Sequence, residues 1–257
     1  EQIEPRATPN DGVRSLPAGD AYSAYEVYNN TTTTMTPAEI HDIGLAEVAR
    51  IATEMDTILR EAGLTEGTIG ARVRALGDDP AQLYPDTDEG RAQILRDYKT
   101  IIDEIDAGLG PWFAVRPKAG VAVERVPEFS EKTAPGAYYQ PPSLDGVRPG
   151  TFYANLRNVK EVTRFGMRTL AYHEAVPGHH FQIAIAQELD GLPIFRKLLP
   201  FTAYAEGWAL YSERLAWEAG FQKNPLDNLG RLQAEMFRAV RLVVDTGLHA
   251  KHWAREQ

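Results

Sequence analysis

The sequence predicts a mainly helical protein with one small β element, and three observations carry that prediction. Apolar residues recur at helical spacing through two long segments before residue 110 and through most of the chain after residue 160. Between them, residues 111–158 hold short β-branched and aromatic runs punctuated by Pro127, Pro135, Pro141, Pro142 and Pro149. No internal repeat and no low-complexity tract beyond Thr31 to Thr34 interrupts this order.

Residues 1–31 are rich in Pro, Gly, Asn and Asp, and residues 1–36 are expected to form an irregular lead-in to one helical body over 37–257. Thr36-Pro37-Ala38-Glu39 has the spacing of a capping box with proline at the first helical position. Ile40, Ile43, Val48, Ile51, Met55, Ile58 and Leu59 follow, so a helix is expected from about 37 to 62, ended near Gly63. Asp86 with Glu89 can cap a second, from about 88 to 107, burying Ile94, Leu95, Tyr98, Ile101, Ile102 and Ile105 and stopped by Gly108 and Gly110. Val121, Val123 and Val126 suggest one strand and Thr151 to Asn155 another, a small sheet or hairpin. Helices then run almost to the end, with breaks near Pro177-Gly178, Gly191 to Pro193, Gly220 to Pro225 and Thr246-Gly247. The chain stops inside what reads as a helix, which predicts a fragment of a longer protein.

The 257 residues are 43% hydrophobic and 25% charged, enough for a sizeable core in one large or two small domains. Thirty-six acidic against 27 basic residues give a formal net charge of −9 without a basic block, which argues against nucleic acid as a partner. No apolar run approaches the ~20 residues of a bilayer span. The absence of cysteine excludes disulfides, thiolate catalysis and cysteine-ligated metal, so any metal must be held by histidine and carboxylate.

Three of the six histidines fall in Tyr172-His173-Glu174-Ala175-Val176-Pro177-Gly178-His179-His180. A histidine followed by glutamate is where zinc peptidases place the first ligand and the general base, with a second histidine at i+4. Here i+4 is Pro177, which cannot ligate and cannot bond the carbonyl of His173, so a kink or bulge is expected between Val176 and His179. On an undistorted helix His179 would be rotated about 120° from His173, and His180 would be nearly in line but about 10 Å along the axis. If Pro177-Gly178 loops out, His179 takes the i+4 place. His179 is therefore preferred as second ligand, with His180 as the alternative. A third donor is expected at Glu206, a carboxylate in an otherwise apolar helical run, although a helix N-terminus alone would also favour an acid there. Glu174 would hold a metal-bound water and take its proton. His249, Arg238 and Arg241 in the C-terminal segment are candidates for oxyanion or substrate contacts, with Tyr138, Tyr139 and Tyr204 as phenolic ones. His41 and His252 read as solvated surface residues, and Trp208, Trp217 and Trp253 as packing residues.

At these residues the chain resembles a bacterial family known as domain of unknown function 885 (DUF885), placed among metallopeptidase-like proteins. The likeness rests on Leu16 to Asp20, Thr31 to Val48, Arg148 to Tyr153, His173 to His180, Ala205 to Tyr211 and Asp245 to His249. It also resembles a stretched gluzincin pattern, aligning Gly178-His179 with the second ligand and Glu206-Gly-Trp-Ala with the third-ligand helix. The resemblance implies a multi-helical gluzincin-like fold, Zn2+ as cofactor, a peptide substrate lying along Thr151 to Asn155, and an exported or cell-envelope location for the full-length protein. The expected function is a zinc-dependent peptidase with His173, His179 and Glu206 as ligands, Glu174 and His249 as catalytic groups, and Tyr204, Arg238 and Arg241 as substrate contacts. The alternatives are a catalytically silent metal-binding or scaffold domain, and a metallohydrolase of a non-peptide amide.

Overall fold

A computed structural model describes residues 12–198 and 201–254. The first eleven residues of the expected lead-in lie outside the described part. The chain is mainly helical with a small three-stranded sheet. It divides into two units, Glu1–Glu54 with Ala234–Gln257, and Met55–Gln233.

In the first unit a 3-10 turn, Val13–Ser15, precedes helix α1, Gly19–Thr31, so the latter part of the expected lead-in is helical. Its polar, tyrosine-rich sequence has little amphipathic periodicity, which hid it. Helix α2, Pro37–Glu61, starts on the expected capping box: Thr36 N donates to Glu39 Oε2 at 2.8 Å and Glu39 N to Thr36 Oγ1 at 3.3 Å. Its buried stripe includes Ile40, His41 and Gly44, and Ile43 faces solvent. Gly44 allows close approach of helix α9, Pro225–His249, because a Cβ there would stand 2.8 Å from Val243 Cγ2. Arg50 bonds Glu47 and Glu54 at 2.6 Å each and also pairs with Glu235 on α9. His41 is buried rather than solvated: its Nδ1 lies 2.8 Å from Thr246 Oγ1 and its ring meets the edge of Trp253.

Thr246-Gly247 does not break α9. A Cβ on Gly247 would meet the Trp253 ring at 2.3 Å, so this glycine is a packing seat and not a stop. The helix ends at His249, where Ala250 N and Lys251 N both donate to Thr246 O and Trp253 N folds back to Gly247 O. The chain therefore leaves its helix before the last described residues.

In the second unit, helix α3, Ile69–Gly77, capped by Thr68, follows the end of α2 and was not expected. Helix α4, Asp88–Gly108, is capped by Thr87, whose Oγ1 accepts from Gly90 N at 3.1 Å, while Asp86 pairs with Arg91 instead. Strands β1, Val121–Arg125, β2, Ala137–Gln140, and β3, Gly150–Ala154, form a sheet in the order β1-β3-β2. The β1–β3 pair is parallel and the β2–β3 pair antiparallel, with Tyr138 opposite Tyr153. Helices α5, Arg164–Glu174, α6, His179–Glu188, α7, Ile194–Leu198, and α8, Thr202–Glu218, complete the unit. Its core joins Ile94, Tyr98 and Ile102 of α4 to Phe152 of β3, Tyr172 of α5 and Phe181 of α6. These large side chains, each contributing about 1.5–3 kcal/mol by burial, fix α5 and α6 between α4, the sheet and α8. Gly230 at the start of α9 lies against α5, where a Cβ would stand 2.1 Å from Phe165 O.

Candidate metal centre

The histidine motif is not one kinked helix. Helix α5 ends at Glu174, residues 175–178 turn, and α6 begins at His179, with a cis Val176–Pro177 peptide bond in the turn. Gly178 lies against the last turn of α5 so closely that a Cβ would stand 1.9 Å from His173 O. Trp208 Nε1 of α8 donates to Pro177 O at 2.8 Å, and Ser212 Oγ donates to Tyr172 O at 3.2 Å. The turn is thereby tied to α8, the helix that carries Glu206.

This packing brings His173, His179 and Glu206 together, each offering one ligand atom within 4.8 Å of the others. Glu206 Oε2 lies 3.6 Å from His173 Nε2, and Glu206 Oε1 lies 3.6 Å from His179 Nε2. Two ligands each about 2.0–2.1 Å from a shared tetrahedral ion stand about 3.4 Å apart, so the spacing and the donor set, two imidazoles and a carboxylate, fit one divalent ion. The imidazoles stand edge to face with centroids 4.7 Å apart. Both histidines are buried, whereas the Glu206 side chain is 56% exposed, so the cluster opens to solvent on the carboxylate side.

His173 Nδ1 is 2.8 Å from Oε1 of Glu213, a carboxylate 1% exposed. Glu213 was not expected from the sequence. Its signal was an acid seven residues after Glu206, hence on the same side of α8, two turns on. Glu174 is buried at the end of α5, next in sequence to His173.

His180 turns away from the cluster. Its Nε2 lies 3.0 Å from Ala119 O and its Nδ1 2.9 Å from Tyr139 OH, and burial pushes its pKa down. Tyr139 also stacks on His179, with centroids 6.5 Å apart and planes at 20°, and burial raises its phenol pKa. A Cβ on Gly150 would stand 2.5 Å from His180 Nδ1, so the glycine makes room for this pair. Tyr138 instead stacks on Tyr153.

Tyr204 sits on the first turn of α8, exposed, with its carbonyl accepting from Gln182 Nε2 at 3.0 Å. Arg238, Arg241 and His249 belong to the first unit. Arg238 Nη1 donates to Ala234 O at 3.2 Å. Arg241 and His249 line a cavity of about 470 Å³ with residues of α1, and His249 Nδ1 accepts from Val13 N at 3.0 Å. His252 is exposed, Trp253 packs over Gly247, Trp208 packs on Phe113, and Trp217 is 39% exposed beneath the Arg231 guanidinium. The segment expected to guide a substrate strand is the central strand β3, whose two edges are taken by β1 and β2. It has no free edge for a peptide to pair with.

A family model described as "Bacterial protein of unknown function (DUF885)" matches residues 1–257. No curated protein matches the chain. Among solved structures, one described as a "putative lipoprotein" of Colwellia psychrerythraea is 46% identical, with a TM-score of 0.95 over 100% of this chain. Another, described as a "putative lipoprotein of unknown function" from Shewanella oneidensis, is 17% identical with a TM-score of 0.75, again over 100% of this chain, and shows likeness of fold. The chain spans 44% and 47% of the lengths of these two proteins.

Proposed function

The chain belongs to the DUF885 family, and for this member we propose a zinc-dependent hydrolase of peptide bonds. The observation that carries the proposal is the convergence of His173, His179 and Glu206, in a chain where Glu174 directly follows the first of them. Two histidines and a glutamate are a zinc donor set with room for a further ligand. Zinc in such a set supplies a Lewis acid and lowers the pKa of water toward neutrality.

The protein's own groups divide the remaining work. Glu213 would accept a hydrogen bond from His173 Nδ1–H and so leave the Nε2 lone pair on the side of Glu206. Glu174, buried and next in sequence to the first ligand, would accept a proton from the attacking water and deliver it to the leaving amine. Tyr139 shields His179 on one face. No described helix is long and apolar enough to cross a membrane. The lipoprotein description of the two solved relatives supports a cell-envelope location for the whole protein.

The test is zinc content per chain after dialysis against trace zinc, followed by a peptide-cleavage screen of the loaded protein. About one zinc per chain with cleavage is the expected result. Folded protein that takes up no zinc would overturn the proposal in favour of a silent scaffold domain. Zinc uptake with cleavage only of non-peptide amides would move the activity to that substrate class.

A further inference from the structure

Beyond the metal cluster, the face of α6 that carries His179 continues into a pocket of about 360 Å³ between α6, α7 and the start of α8. Ile183, one turn after His179 and about 6 Å along the same helix face, forms its near wall. Leu189, Leu192 and Phe201 add apolar surface, and the polar residues Arg196 and Lys197 stand at its margin with Tyr204. Among the described residues the lining holds no carboxylate, in a chain of net charge −9. Lys197 Nζ is engaged with Gln187 O at 2.8 Å, whereas Arg196 is exposed and has no side-chain ion pair among the described residues. The pocket is joined to the cluster through α8 as well, since Gln182 Nε2 holds the carbonyl of Tyr204, two residues before Glu206.

We propose that this pocket binds the C-terminal residue of a peptide, taking a large apolar side chain against Ile183, Leu192 and Phe201 and its free carboxylate against Arg196. An apolar side chain fills the volume, which lies in the range of small-molecule sites. The carboxylate matches the planar guanidinium, with the Lys197 ammonium as a second positive charge. The peptide-hydrolase reading of the metal cluster underlies this assignment, and it makes the protein a carboxypeptidase, with the scissile bond of the bound peptide on the His179 side of the pocket.

Binding is measured separately from cleavage. Acetyl-Ala-Ala-Phe and its C-terminal amide are titrated into wild-type protein, Arg196→Ala, Arg196→Lys and Ile183→Trp by calorimetry, with and without zinc. The expected result is that the acid binds, that the amide and Arg196→Ala each lose about tenfold or more, the scale of one charge-assisted hydrogen bond, and that Arg196→Lys recovers part of the loss. Ile183→Trp, checked for folding by circular dichroism, fills the pocket and abolishes binding. Equal binding of acid and amide overturns the proposal, as does wild-type binding by Arg196→Ala or no binding of the acid at millimolar concentration. Selective binding without any cleavage would leave the pocket standing and remove the hydrolase reading. Cleavage that ignores the C-terminal carboxylate and both residues would do the reverse.

Discussion

His173 and Glu213 are joined by a 2.8 Å contact between Nδ1 and Oε1, with both side chains buried. A carboxylate at this place would favour the Nδ1–H tautomer and hold the ring, and Nε2 faces Glu206 at 3.6 Å. Replacement of such a partner typically lowers metal affinity about 10- to 100-fold. Glu213→Gln should therefore bind zinc more weakly by that factor in a competition titration with a chelator, while still binding one ion. Unchanged affinity would reduce the contact to a packing role.

The three motif histidines should separate cleanly. His173→Ala and His179→Ala remove a donor that faces Glu206, and Glu206→Ala removes the bridge between them. Each should lose bound zinc in elemental analysis. His180→Ala should keep it, because both nitrogens of His180 are engaged with Ala119 O and Tyr139 OH. Loss of zinc from a folded His180→Ala would make that residue the second ligand.

Glu174→Gln keeps the shape of the side chain and removes its basicity. Zinc content should stay at the wild-type level while hydrolysis falls by about 10²- to 10⁴-fold, the usual scale for a general base. Steady-state kinetics on a peptide cleaved by the wild type decide it. Full activity in the zinc-loaded variant would remove Glu174 from the mechanism.

Gly178 and Gly230 are required by close approach, since a Cβ would stand 1.9 Å from His173 O and 2.1 Å from Phe165 O. Backbone oxygens cannot swing aside as a flexible side chain can. Gly178→Ala and Gly230→Ala should each cost about 1–3 kcal/mol, the scale of overpacking, in denaturant unfolding. Gly178→Ala should also weaken zinc binding, because it pushes α6 away from α5. Gly63, with no neighbour within 4 Å of a Cβ but a φ of +82°, should show only the smaller cost of a left-handed residue.

Glu131 gives the acid limb of stability. Arg125 donates from Nε to Oε1 at 2.7 Å and from Nη2 to Oε2 at 3.2 Å, and this guanidinium holds the carboxyl below its ordinary range. A folded-state pKa lowered relative to the unfolded one contributes stability above the unfolded value, near ~4.3, and that contribution is lost as pH falls through the lowered folded value. Glu131→Gln should lose about 1–3 kcal/mol at pH 7 and progressively less as the pH approaches 3 in urea denaturation. A loss independent of pH would assign the effect to packing.

The sequence by itself determined the helical class, the capping box at Thr36, the bounds of α2 and α4, two of the three strands, and the pointer to His173, Glu206 and one of two neighbouring histidines as a cluster. These are readable because helical periodicity, caps and ligand chemistry are local properties of a few neighbouring residues. Only the tertiary structure decided that the motif splits into α5 and α6, that His179 faces Glu206 while His180 faces Tyr139, and that Glu213 stands behind His173. It also decided that His41 is buried against Thr246 and that β3 lies between two strands. The reason in each case is the same. Which side chain a buried histidine meets depends on residues 27 to 205 positions away in the chain, and which edge of a strand is free depends on strands across intervening loops, and no local pattern carries that distance.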